Sequence, residues 1–456
     1  LSTATSTAAS VATRGAQLAD YIATATGRAL PEAVRQAVRR ALIDHLACAL
    51  GAVHDPAVRA VRHTAARWQA RGTARIYLGG RTTPALAALV NGTMAHAMDY
   101  DDTHPGGPCW STALALAGEA ADGYRRVVPA FVAGYEVMAR LGGGGPPGVG
   151  RSLQRRGLHP TSVVGRVGAA ATACVMLGLD RGAIAHALGA AATTAGGLLG
   201  SFGTHGKPFH AGKAAMDGIL AAQLAADGFV AATDLYETGQ GLLGAFIQDG
   251  DAVVPPLDFG HWELLDNGLK LYASCRATHA SAQAARSLAP RIGARAVRRV
   301  RALIHPNGLV TAGRRAPATA LEGKFSIPFC IALGLRGYTL AATDFVDAVF
   351  ADERVTRIVP LVELEAVDGQ PAHEAHLFVE LEDGERLQAD TDVVRGVPQN
   401  PLSEAELAEK FHTLVAQVAG PARAAELYRA ASAVGDPATL PALLAALAPD
   451  SASGDG

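Results

Sequence analysis

Apolar residues recur at three- and four-residue steps along most of this chain, the spacing of helices that bury one face. Amphipathic helices are predicted over 16–27, 31–52 and 56–70, with Pro31 and Pro56 near helix starts. Leu86, Leu89, Val90, Met94 and Ala97 continue the pattern in a helix that Thr83 can cap and Pro84 can open. Further helices are expected at about 111–122, 129–141, 161–177, 181–195 and 211–227. The period changes after about Asn267. Val300, Ala302 and Ile304 alternate as in a strand, and 358–365 is another strand candidate. Residues 376–382 and 385–390 flank Asp383-Gly384, the strongest hairpin signal in the sequence. Helical pieces at 278–289 and 341–350 accompany these strands, which makes the region α+β. Helices return at Ser403, which pairs with Glu406 as a capping box, and the last should end before Pro449.

The pattern is interrupted most sharply just after the helix that Pro84 opens. Asp99, Asp101 and Asp102 place three carboxylates in four positions, and His104 follows two residues later. The C-terminal end of a helix carries partial negative charge and favours cations, so acids there are poorly placed for stability. No Lys or Arg occurs between Arg81 and Arg125 to neutralise them locally. A solvated turn with Asx hydrogen bonds is the plain reading; the adjoining His and the unfavourable position favour a functional one.

Two other irregular stretches invite a cofactor reading and do not support it. The Gly/Pro run 142–150 has no Lys-Ser/Thr behind it, so it reads as a flexible loop, not a phosphate cradle. Around Lys207 a phosphate-loop match fails twice: Ser201 stands where the first Gly belongs, and Pro208 follows the Lys. His205 and His210 are not at the three- or four-residue spacing of two ligands on one helical face, so no metal is expected. Lys213, on the following helix, reads as an ion-pair residue. His45, His54 and His63 read as surface or satisfied core histidines.

Composition narrows the class. With 456 residues, 49% of them hydrophobic, two or three domains with sizeable cores are within reach. The net charge of −2 provides no field to attract nucleic acid or an anionic membrane, and no apolar run reaches spanning length. Residues 1–14 are Ser/Thr/Ala-rich and read as a disordered tail. Five cysteines, scattered without a CxxC pair, argue against a disulfide framework and for the reducing cytoplasm. Of 40 basic residues only five are Lys: Lys207, Lys213, Lys270, Lys324 and Lys410. Where Arg is the default cation, a retained Lys marks a place where a compact, titratable ammonium suits and a planar fork does not.

Five collinear motifs then resemble the MmgE/PrpD family, which includes 2-methylcitrate dehydratase, cis-aconitate decarboxylase and iminodisuccinate epimerase. They are Asn91-Gly-Thr-Met-Ala-His-Ala-Met-Asp-Tyr-Asp-Asp-Thr103, Gly157-Leu-His159-Pro-Thr-Ser and Gly203-Thr-His-Gly-Lys207-Pro-Phe-His-Ala-Gly, then Lys270-Leu-Tyr-Ala-Ser-Cys275-Arg-Ala-Thr-His279 and Gly323-Lys-Phe-Ser-Ile-Pro328. The resemblance implies a mainly α fold: a large all-helical domain built from both chain ends, with a smaller α+β domain inserted. Placed on the composition shift, this gives a helical domain over 15–267, an α+β lid over 268–398 and helices of 399–456 returning to the first domain. It implies a homodimer, and an active site between the domains that needs no metal, nucleotide or other cofactor. By position, Asp99, Thr103, His159, Lys207 and Lys270 look like site residues, and His104-Pro105 looks like the family's His-Pro step, on a shorter loop. Cys275 stands where the decarboxylases have a histidine and where dehydratase- and epimerase-like members often show Cys.

Family substrates are small polycarboxylates whose reactions pass through an electron-rich carbon beside a carboxylate. Such chemistry needs cations for the carboxylates, and an acid and a base for the carbon. Lys207 and Lys270 are expected to supply ammonium groups, each gripping a different carboxylate. Thr103, His159 and His210 are candidate substrate contacts, and Asp99 and His104 a candidate acid–base pair. Cys275 is a candidate proton carrier on the opposite face. Clustered carboxylates can raise the pKa of one member towards the working range. Lys324 reads as structural, since Phe325, Ile327 and Phe329 alternate like a buried segment. The first expectation is a hydro-lyase acting on a 2-methylcitrate-like acid. An iminodisuccinate-type epimerase stands second and a cis-aconitate-type decarboxylase third, against a catalytically silent carboxylate binder.

Overall fold

Thr13 caps the first helix, α1 (Arg14–Ala23), by accepting a hydrogen bond from the Ala16 N–H in a computed structural model that describes residues 13–104, 106–142, 149–237, 239–250 and 254–449. The expected tail as far as residue 12, residues 143–148 of the Gly/Pro run, and Pro105 lie outside the described residues. Arg14, expected in the tail, already belongs to α1.

The helical period is realised in turn as α2 (Glu32–Gly51), α3 (Pro56–Arg67), α4 (Pro84–Ala97) and α5 (Gly107–Leu116). Next come α6 (Gly123–Gly142), α7 (Val149–Arg155), α8 (Pro160–Leu177), α9 (Arg181–Thr193), α10 (Gly206–Ala226) and α11 (Leu242–Phe246). Between α3 and α4 lies a two-residue antiparallel pair, β1 (Ala74–Arg75) and β2 (Arg81–Thr82). Asn91 fastens it to α4, its amide accepting from Tyr77 N at 3.0 Å and donating to Arg75 O at 2.9 Å.

Three helix boundaries differ from expectation, each at a proline. Pro108 lies in the first turn of α5, where no N–H is needed, so that helix begins before 111. Pro208 does the same for α10 and puts Lys207 on the helix itself. Pro129, expected to start a helix, lies inside α6. Thr83 occupies the N-cap position of α4 but makes no side-chain capping bond.

The centre is a layer of helices apolar on every side. Thirteen of the 14 residues of α4 are buried and so are all ten of α5, so packing, not amphipathicity, holds them. By length and composition α8 also passes as a membrane-spanning helix, contrary to the sequence reading, but 89% of that stretch is buried inside the protein. Glycines let α4 and α10 approach closely. A Cβ on Gly92 would come within 2.8 Å of Gly212 Cα, and one on Gly212 within 2.1 Å of Leu89 O. Gly212→Val should therefore destabilise the fold by about 2–3 kcal/mol or more and move Lys207, lowering activity as well. Denaturant unfolding of a variant as stable as the wild type would refute this account of the crossing.

The α+β region follows: α12 (His279–Ile292), β3 (Val297–Ile304), α13 (Asn307–Ala312), α14 (Ala320–Gly323) and α15 (Ile327–Leu335). Short helices α16 (Asp347–Phe350) and α17 (Glu353–Thr356) lead to β4 (Val362–Ala366), β5 (Ala375–Leu381) and β6 (Arg386–Thr391). The sheet order is β4-β3-β5-β6, with β3 parallel to β4 and the other pairs antiparallel. The hairpin turns at Asp383-Gly384 as expected, Gly384 adopting φ +89°. The stretch read as alternating at Phe325–Phe329 is instead mostly helix: Ile327 opens α15, all nine residues of which are buried.

Ser403 and Glu406 form both bonds of the capping box that starts α18 (Glu404–Ser432). That helix breaks at Gly420, whose φ of +78° only a residue without a Cβ adopts freely, and Pro421 restarts it. A last helix, α19 (Leu440–Ala446), ends before Pro449. The α18 helix packs on α2, so residues from opposite ends of the sequence share one core. The fold is mainly α.

Candidate active site

The end of α4 is where the acids collect, and four of the five lysines converge on it. Asp99 takes a left-handed conformation, φ +51°, which turns the chain back across the helix end. An Asp tolerates that region better than most residues because its short side chain can bond locally. Lys207, from the first turn of α10, donates to Asp99 Oδ1 at 2.8 Å, and Lys270 donates to the same oxygen at 2.7 Å. Lys270 also donates to the Asp99 carbonyl at 3.1 Å. Lys324 donates to the Met98 carbonyl at 2.7 Å, and Lys410 of α18 to the Tyr100 carbonyl at 2.6 Å. All four ammonium groups are buried. They supply the positive charge that a helix C-terminus and three adjacent carboxylates require.

The protonation states follow from the geometry. Burial opposes the charge on Asp99, but Lys207 and Lys270 outweigh it and hold its pKa well below the carboxylate range. It is thus an ionised hub. Its Oδ2 is buried with no partner among the described residues. The carboxyl that is raised is Asp102, by burial and then by the charge of Asp101. Asp102 accepts from the Asn267 side-chain amide at 2.7 Å and from Gly106 N at 3.0 Å.

His96, three residues before Asp99, bridges the cluster. Burial lowers its pKa, so the ring is neutral. Its contacts fix the tautomer: Nδ1–H donates to Asp101 Oδ2 at 2.6 Å, and Nε2 accepts from Lys207 at 2.9 Å. His159, at the N-terminus of α8, stacks on His96 with ring centroids 5.6 Å apart. Burial and then Lys207 push its pKa well down, so it too is neutral.

A cavity of about 350 Å³ opens over this cluster, between the central helices and the segments 270–281 and 304–311. Asp99, Thr103, His159, Lys207, Lys270 and Cys275 all reach its wall. The Thr103 hydroxyl accepts from Gly268 N at 3.0 Å. The Cys275 thiol is kept protonated by burial and then by the charge of Asp99. His104 also lines the cavity but is exposed, held by its backbone N–H to Asn267 Oδ1 at 3.2 Å. The side chains hydrogen-bonded to Asp99 are Lys207 and Lys270, and His104 makes no bond to it. His210 stands against His159, Nδ1 to Nδ1 at 3.1 Å, and is absent from the cavity wall. The two lysines share one carboxylate oxygen of the protein, and each keeps a third N–H beyond the two bonds it makes there.

Sequence reasoning missed several members. His96 and Asp101 lay inside the quoted motif without a role. From the sequence Lys324 reads as structural and Lys410 stands out only by the rarity of Lys, which is the available signal. Arg276 lines the cavity and lies inside the fourth motif without a role, and Arg151 lines it with no signal in a chain rich in Arg. Lys213 makes the expected ion pair, with Asp217. Among the described residues no group of three His, Cys, Asp or Glu is arranged to hold a metal ion.

Comparison with known proteins gives two family matches: the MmgE/PrpD N-terminal domain over residues 16–254 and the MmgE/PrpD C-terminal domain over 272–434. Among curated relatives, a cis-aconitate decarboxylase of Homo sapiens is 30% identical over 354 residues, covering 73% of this chain and 72% of its own. A cis-aconitate decarboxylase-like protein of Aspergillus oryzae is 25% identical, covering 88% of this chain and 90% of its own. A cis-aconitate decarboxylase of Aspergillus terreus is 23% identical over 87% and 88%.

Proposed function

Because the chain belongs to the MmgE/PrpD family, we propose that it is a lyase acting on a small polycarboxylate, through an electron-rich carbon stabilised by the buried cations. The observation that carries this reading is the meeting of Lys207 and Lys270 at Asp99 on the cavity wall. Asp99 fixes both ammonium groups before substrate arrives, so they need not reorganise as negative charge develops.

The wall is rich in proton donors and poor in bases. Asp102 and Cys275 hold protons, burial depresses the pKa of all four histidines on the wall, His96, His104, His159 and His305, and Asp99 is already neutralised. Decarboxylation suits such a site. The bond to the departing carboxylate breaks, carbon dioxide leaves, and the electron pair stays on the carbon next to a second carboxylate. A donor on the wall then supplies a proton to form the C–H bond. The names of the curated relatives favour the same reaction, so decarboxylation moves ahead of the hydro-lyase. Loss of water from a β-hydroxy acid is the second reading, favoured by Cys275 at the position where dehydratase-like members show Cys.

Incubation with cis-aconitate and with 2-methylcitrate in deuterated water, with a chelator present throughout, tests the proposal. Release of carbon dioxide with one solvent deuterium in the product is expected. Loss of water from the hydroxy acid would select the second reading. Exchange or epimerisation without release of either would refute a lyase.

A homodimer is part of the proposal. Phe209, Met216, Leu220 and Leu224 form an apolar stripe on the outer face of α10, with Phe209 and Leu220 exposed. So is a reducing cytoplasm, in keeping with five unpaired thiols.

A further inference from the structure

Every ammonium group near the cavity already has a partner in the protein, which leaves open what meets the substrate's other carboxylates. Two guanidinium groups remain on the wall. Arg151 comes from α7, and Arg276 from the turn that follows Cys275.

Arg276 is the more unusual. Its side chain as a whole is half-buried, yet Nη1 is sealed from solvent and has no hydrogen-bond partner among the described residues. Among the described residues no carboxylate pairs with it, and burial lowers its pKa to about 10. Leaving a charged donor buried and unsatisfied is costly, and replacing such a group by an uncharged one often stabilises a fold. A group kept at such cost on a cavity wall is explained by what enters the cavity. A guanidinium presents a planar fork of N–H donors, which matches a carboxylate and does not match a hydroxyl or an apolar end.

We propose that Arg276 is a specificity-determining residue that binds a second substrate carboxylate, distinct from the one set against Lys207 and Lys270. The cavity then selects acids carrying at least two carboxylates at fixed separation. Arg276 takes no part in the chemical step.

Calorimetric titration with tricarballylate, glutarate and methylsuccinate tests this, because each dicarboxylate lacks a different carboxylate of the tricarboxylate. Arg276→Gln should weaken tricarballylate binding about 10–100-fold, the loss of charge-assisted hydrogen bonds. The same variant should change the affinity of one dicarboxylate by less than about threefold, that ligand lacking the group Arg276 holds. Arg276→Lys, which keeps the charge without the fork, should recover part of the loss. The ligand-free Gln variant should melt no lower than the wild type, since it sheds an unpaired charge.

Equal weakening of all three ligands, undiminished tricarballylate binding by the Gln variant, or no binding by the wild type would each overturn the assignment. So would a lower melting temperature of both ligand-free variants, the mark of a structural role. The inference rests on the polycarboxylate reading, but the tests separate. Tricarballylate binding through Arg276 without turnover of any acid sinks the lyase and leaves the anchor standing.

Discussion

Asp99→Asn should lower kcat by on the order of 10²–10³-fold, with a smaller change in substrate affinity, and should also destabilise the protein. Asn tolerates the left-handed backbone at this position, so the substitution removes charge and little else. What it removes is the anion on which Lys207 and Lys270 meet. Two ammonium groups would then face each other in a buried site, and one must lose its proton or move. Breaking a buried ion pair from one side costs about 3–5 kcal/mol. The effect has a definite pH dependence. The folded pKa of Asp99 lies well below that of the unfolded carboxyl, about 3.9. Its contribution to stability is therefore fully present above the unfolded pKa and is lost as pH falls through the folded one. The wild type should show that acid limb in denaturant unfolding, and the Asn variant should lack this component of it. Wild-type turnover together with an unaltered acid limb would show that Asp99 is not the hub.

Lys410→Met should lower stability by about 3–5 kcal/mol, although Lys410 is not on the cavity wall. Its ammonium donates to Asp44 at 2.6 Å, to the Tyr100 carbonyl at 2.6 Å and to the Lys270 carbonyl at 3.0 Å, and lies 4.0 Å from the centre of the Tyr100 ring. All three N–H groups are used. The variant leaves Asp44 charged, buried and unpaired, and protonation is its only relief. Burial already holds the folded pKa of Asp44 above its ordinary value with Lys410 pulling it down, and loss of Lys410 raises it further. The variant should accordingly approach the wild type in stability at low pH and fall behind as pH rises through the carboxylate range. Adding Asp44→Asn should recover part of the loss, since it removes the stranded charge. A double variant less stable than Lys410→Met by the full cost of a second independent lesion would disprove the pairing. Activity should fall as well, because Lys270 loses its backbone anchor.

The fold was legible where the cause is local. Helical period, the Asp383-Gly384 turn and the Ser403–Glu406 box each depend on residues within a few positions of one another, and each stands where the sequence puts it. Boundaries slipped at Pro108, Pro129 and Pro208, because a proline in a first turn and one mid-helix read alike without knowing where the carbonyls four residues back will point. In the site, Asp99, His159, Lys207, Lys270, Thr103 and Cys275 were legible as members through the motifs. Their relations were not. The partners of the acidic turn lie 108 and 171 residues along the chain for Lys207 and Lys270, and 310 for Lys410 to Tyr100. Rarity marks Lys410 in the sequence, but nothing there shows that Asp44 is its partner. Arg276 was hidden for the same reason: its significance is the absence of a partner, a property of three-dimensional space alone.

The pairing of Lys410 with Asp44 joins residues 366 positions apart. During synthesis the acid emerges early and its counter-ion late, after the whole α+β region has been made. Until α18 docks on α2, Asp44 can be buried only as the neutral acid, and Lys270 has no carbonyl anchor behind it. Loops of this length cost entropy to close before any contact rewards them, so folding should be slow and should finish at this joint. A nascent or truncated chain ending before residue 410 would carry every cavity-wall residue among those described and still lack the ion that locks it, so activity should await the arrival of α18.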